Sequence, residues 1–145
     1  MRVAVRCTRD RVPTMTSTPD AVRLGAVIVA IGLAVVALFQ VAIALGAPVG
    51  RASWGGTHDG VLPRNLRVAI AIAAVVWTLA ALVILGRADL GPFSGGFTRW
   101  AAWVLVGVLA LGSVMNAASK SGWERYGWAP FTFTLAVICA LVAGS

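Results

Sequence analysis

Four long runs of this chain are apolar on every side, and its charged residues fall between them. No Asp, Glu, Lys, Arg or His occurs from Leu24 to Ala47, from Val68 to Gly86, from Trp100 to Ser119, or from Tyr126 to Ser145. A soluble amphipathic helix keeps a polar face turned to water, and these runs have none. Crossing a hydrocarbon core of about 30 Å takes about 20 helical residues, which the first three runs supply. The fourth is tighter when read from Pro130, a residue suited to a first helical turn because its missing N–H costs nothing there. It then borrows from Tyr126 to Ala129 or meets a locally thinned bilayer. The pattern predicts an all-α membrane protein whose four transmembrane helices, near 24–46, 67–86, 99–118 and 129–144, pack as a compact antiparallel bundle.

The basic segment ahead of the first run resembles a signal peptide, with Ala44 and Gly46 placed for cleavage before Ala47. The run from Leu24 to Leu45 outlasts a signal h-region of about 7–15 residues, so the first helix is expected to remain uncleaved. Residues 1–20 read as a disordered basic leader, with Met15 as an alternative start, and residues 21–145 as the four-helix domain.

Composition strengthens this reading. Only 12% of the 145 residues are charged and 59% are hydrophobic, against roughly a quarter charged in soluble domains. The net charge of +7 would suggest nucleic acid in a soluble protein. Here the arginines sit at span ends, where they snorkel to the interface and meet anionic head groups, so the expected partners are lipids and no nucleic acid. Cys7 and Cys139 match no metal or redox spacing. Loops one and three share one side of the membrane, with five basic residues against seven on the terminal side. The positive-inside rule puts the N-terminus in the cytoplasm for the full chain, and loops one and three there for a chain that starts at Met15. The second orientation is the one expected.

No ionisable group falls inside the predicted spans, which removes the usual means of proton or ion coupling. Several uncharged polar residues do. Gln40 lies about 8 Å from the first span's midpoint, towards loop one, and Asn116 about 10 Å from the third's, towards loop three, at 1.5 Å per residue. Thr132 opens the fourth helix on the same side. These three are expected to form a hydrogen-bonded layer joining helices one, three and four, each bond worth about 0.6 to 2 kcal/mol.

Loop one, "GAPVGRASWGGTHDGVLPRNLR", holds the chain's one histidine, and loop three reads "SKSGWERYGWAP". Pro48 after Gly46 ends the first helix, Gly55, Gly56 and Gly60 permit positive φ, and Trp54, Val61 and Leu62 can anchor at the interface. Loop one is therefore expected to be an ordered turn docked on loop three through Trp54 and Trp123, with Arg51, Arg64 and Arg67 meeting lipid phosphates and Glu124, and Arg125 at the same interface. His58 beside Asp59 falls short of the three or four ligands that zinc takes, and no phosphate-loop pattern accompanies the arginines. The sequence thus predicts no catalytic residue, metal or cofactor.

The pattern Gly46-x-Pro48-x-Gly50, Gly55-Gly56, Leu62-Pro63 and Arg67, followed by Met115-Asn116-x-x-Ser119-x-Ser121-x-x-Glu124 and Pro130, resembles a family of small four-helix bacterial integral membrane proteins. The likeness spans about residues 20 to 145, and this chain departs from the family's lysine-rich third loop. It implies a multi-pass protein of the bacterial plasma membrane, and the family brings no assigned activity with it. The function expected is a non-enzymatic accessory, scaffold or small-assembly subunit that meets a second copy or a partner membrane protein. The alternative is a small permease or lipid-handling protein with a path between its helices. A closed apolar interior would favour the first and a polar cavity the second.

Overall fold

The computed structural model describes residues 18–145. Helix α1 spans Thr18–Leu45, α2 Arg64–Arg87, α3 Gly96–Ala117 and α4 Ala129–Gly144. There is no strand among the described residues. Apart from residues 18–20, which form the first turn of α1, the leader lies outside the described residues. Thr18, Pro19 and Asp20 are a composition suited to a helix start, with proline tolerated in the first turn and an acid favoured by the helix dipole.

Each helix end has a local cause. Gly46, at φ 104°, sends its N–H to the Ile43 carbonyl, and the Ala47 N–H reaches Ala42, both at 2.9 Å. This is the paired 6→1 and 5→2 closure of a Schellman motif, and Pro48 forbids continuation. At the end of α2 the same pairing forms around Asp89, at φ 57°, with Leu90 N–H on Leu85 and Asp89 N–H on Gly86. Aspartate tolerates this left-handed position better than most residues do.

The fourth helix differs from its expected form. A π-helical turn, Glu124–Trp128, runs directly into α4, so one apolar helix of 21 residues extends over Glu124–Gly144, about 31 Å at 1.5 Å per residue. It needs no thinned bilayer. Proline cannot donate to the carbonyl four residues back, and its ring crowds that carbonyl. The ladder therefore shifts by one register ahead of Pro130, with the Ala129 N–H bonding to Glu124. All four helices are long and apolar enough to cross a membrane.

The contacts run antiparallel. Gly25 near the start of α1 faces Val142 near the end of α4, and Gly32 faces Leu135. Ser113 late in α3 meets Ala129 at the start of α4, and Ala102 early in α3 meets Cys139. The main core, with Val29, Leu33, Ile84, Leu109, Cys139 and Val142 at its centre, fills the half next to the 88–95 connection. Towards loops one and three only a small cluster of Ile43, Leu62 and Ile70 is sealed. The outer surface is apolar: Leu38, Leu45, Ile72, Leu111 and Leu141 are 62 to 79% exposed, an arrangement that water would penalise over so large a contiguous area.

Candidate functional site

Loop one folds back over the open half of the bundle. The Gly50 N–H bonds to Gly60 at 2.9 Å and closes the loop on itself. A Cβ on Gly50 would lie 2.6 Å from the His58 carbonyl oxygen, so only glycine fits that crossing. Trp54, Gly55 and Gly56 follow one another at φ 53°, 71° and 68°. Left-handed backbone is rare for a bulky residue such as tryptophan, and here it turns the Gly55 N–H towards α4. That N–H donates to both carboxylate oxygens of Glu124, at 3.0 and 3.2 Å. Ser121 adds a second clasp, its hydroxyl donating to the Arg51 carbonyl at 2.7 Å. The two spaced patterns that carry the family resemblance therefore meet each other.

Loop docking thus has a different basis from the one the sequence suggested. Glu124 is buried at 7% exposure, whereas Trp54 and Trp123 stay 51% and 71% exposed. Arg51 pairs with Asp59, Arg67 donates to the Ala44 carbonyl at 2.9 Å, and Arg125 donates to Ser119 at 2.8 Å. Arg64 stands exposed in the first turn of α2. No arginine among the described residues bonds to Glu124. The reason lies in the π turn, which carries Glu124 from the loop into the helix and points it at backbone. Leu62 is buried as expected, and Val61 is exposed.

Under this clasp lies a cavity of about 470 Å³ to which all four helices and loop one contribute. Gln40, Asn116 and Thr132 all line it, together with Glu124 and Ser53. The three residues thus meet at one cavity, but the expected bonds between them are not made. Thr132 donates to Trp128 and Ala129 of its own helix, while the Gln40 and Asn116 side chains bond to no described residue. The hydroxyl that does join α3 to α4 is Ser113, which donates to Ala129 at 2.9 Å. The Ser53 hydroxyl is shut off from solvent without a hydrogen-bond partner, a state that costs free energy unless something fills it.

The remaining wall is aromatic and aliphatic. Trp54, Trp77 and Trp128 line the cavity beside Phe39, and Phe39 packs on Trp128 with ring centroids 4.8 Å apart. From α2 and α3 the lining takes the small Ala69, Ala73 and Gly112 together with the larger Ile70, Leu111 and Met115. A separate groove of about 580 Å³ between α1 and the π turn brings Arg51 together with Trp123. Sequence reasoning missed Ser53, Trp77 and Trp128 as site residues. Apolar periodicity marks the two tryptophans only as interior or interfacial, and their convergence depends on how the helices splay. Comparison with protein-family models, with curated proteins and with solved structures finds no match to this chain.

Proposed function

We propose that this chain is a multi-pass integral membrane protein, of the bacterial plasma membrane by its resemblance, that takes an amphipathic small molecule from the bilayer into the cavity beneath loop one. This is the lipid-handling alternative of the sequence reading, and it involves no catalysis. The observation that carries it is the company the polar residues keep. Gln40 and Asn116 have unused hydrogen-bonding capacity in one cavity of about 470 Å³, within the range of small-molecule sites, roughly 300–1,000 Å³. A scaffold has no use for such a space, because interhelical polar groups in a bundle stabilise it by bonding to one another.

Native mass spectrometry of the protein, released from a mild detergent, tests the reading. The expected result is a co-purifying amphiphile that is lost when Gly112→Leu and Ala73→Leu together fill the cavity, while the variant stays folded. A wild-type protein that carries no small molecule after gentle extraction, and whose mobility and stability are unchanged by the filling variant, would favour the scaffold.

A further inference from the structure

The charge and surface chemistry of the cavity narrow its occupant. Glu124 is the one charged side chain among the lining residues, in a chain whose net charge is +7. Its bonding partner is a single neutral N–H, that of Gly55, and no lysine or arginine neutralises it among the described residues. A buried carboxylate normally has a cationic partner or several donors, because taking it out of water is costly. Trp54, next to the Gly55 that bonds Glu124, and Trp128, one turn further along the helix, line the cavity near the carboxylate, with Trp77 deeper on α2. Tryptophan faces attract cations through the ring quadrupole. Gln40 and Asn116 offer neutral polar contacts, and the rest of the lining is mostly aliphatic.

We propose that the cavity selects a lipophilic cation, a compact ammonium or quaternary-ammonium group on an apolar chain, with Glu124 as its counter-charge and Trp54 and Trp128 as its aromatic neighbours. This inference rests on the cavity being a ligand site, as proposed above, and adds the sign of the charge. The long-range field of the protein works against such a ligand, since +7 attracts anions. Preference for a cation must therefore come from the cavity itself. A zwitterionic lipid is a poorer fit, because its phosphate would enter a space with no lining cation. The aliphatic part of the lining, Ile70, Val108 and Leu109 among it, suits an apolar chain.

Isothermal titration of the protein in maltoside micelles, with empty-micelle controls at one fixed salt concentration, compares four probes with the same chain: decyltrimethylammonium, decanol, decyl sulfate and decylphosphocholine. The cation is expected to bind about tenfold or more tightly than each of the others, the scale of a desolvated charge contact plus cation–π attraction. Glu124→Gln keeps an oxygen to accept the Gly55 N–H, so the clasp survives, and this variant should lose that preference while decanol binding is unchanged. Trp128→Leu, which removes no hydrogen bond of the clasp, should weaken the cation several-fold more than decanol. Equal binding of all four probes, or tighter binding of decyl sulfate, would overturn the cation reading and leave a ligand site standing. Binding of none of them would overturn both proposals.

Discussion

Glu124 and Gly55 stand 69 residues apart in sequence, yet one backbone N–H of the glycine is shared by both oxygens of the carboxylate. This contact fastens a loop to a helix at the rim of the cavity. It depends on two irregularities at once: the left-handed turn at Trp54, Gly55 and Gly56, and the π turn that carries Glu124 inward. Both are departures of the kind that cluster at functional sites.

Removing the acceptor should undo the clasp. Glu124→Ala leaves the Gly55 N–H without its partner, and the loss is expected to cost about 1–3 kcal/mol. Thermal unfolding in detergent reads the magnitude. A cysteine at position 57, labelled faster by a water-soluble maleimide in the variant, reads release of the loop. Trp54→Ala with Trp123→Ala should have the smaller effect on loop docking, because both rings are largely exposed. A larger effect from the tryptophan pair than from Glu124→Ala would return docking to aromatic contacts.

Gly56 offers a sharper probe of the same junction. Alanine there would hold φ 68°, and its Cβ would sit 3.2 Å from the Ser121 Cβ and 3.3 Å from the Arg51 carbonyl. Left-handed backbone alone costs a non-glycine residue about 1–2 kcal/mol, so Gly56→Ala should destabilise by at least that amount. Gly122→Ala, where an added Cβ meets nothing within 4 Å, is the control and should change the melting temperature little.

The exposed pair of Arg51 and Asp59 should contribute little at neutral pH and nothing once acid protonates Asp59. Its hydrogen bond first, and its charge second, hold the Asp59 carboxyl below its ordinary 3.8 and push Arg51 up. A depressed carboxyl contributes stability that is present above the unfolded value and is lost as pH falls through the lower folded one. Asp59→Asn is therefore expected to leave thermal stability at neutral pH nearly unchanged, since both side chains are about three-quarters exposed and water screens the pair. The variant should flatten only the acid limb of a melting-versus-pH series. A large loss at pH 7 would mean that the pair supports the loop more than its exposure allows.

The helices were legible because charge is excluded from them over distances that only a membrane or a very large core tolerates. Gln40, Asn116 and Thr132 could be placed together by arithmetic on helical rise, since depth along a straight helix is a local quantity. The beginning of the fourth helix was not legible. Pro130 looks like a first-turn proline, Glu124 and Arg125 look like loop, and a π turn leaves no mark of its own in residue types. The cavity was hidden for a different reason. It lies where the sealed core stops, at Leu109 on α3, and where a core stops is a tertiary outcome of how the helices pack.

The topology follows from the connections and can be checked in cells. Reporter fusions at residues 57 and 120 should report one side, and fusions at 92 and 145 the other. Four apolar helices joined by short connectors admit no other grouping, so any different pattern would show that one helix fails to cross.

Close packing of α1 on α4 is the last structural claim open to a direct test. A Cβ placed on Gly32 would lie 2.6 and 2.8 Å from the two methyl carbons of Leu135, far inside contact distance, with Leu135 itself only 3% exposed. Small residues that let two helix backbones approach are a common means of association where no hydrophobic driving force separates helix from lipid. Gly32→Ala should therefore destabilise the bundle, by about 1–3 kcal/mol if the core cannot yield, as in other overpacked sites. Leu135→Ala alone should also destabilise, by about 2–5 kcal/mol, through the cavity it leaves. In the double variant the alanine at 32 enters the space vacated at 135, so the two losses should fall short of additive by about 1 kcal/mol or more, the signature of residues in direct contact. Additive losses in that cycle would mean that α1 and α4 do not meet at this point.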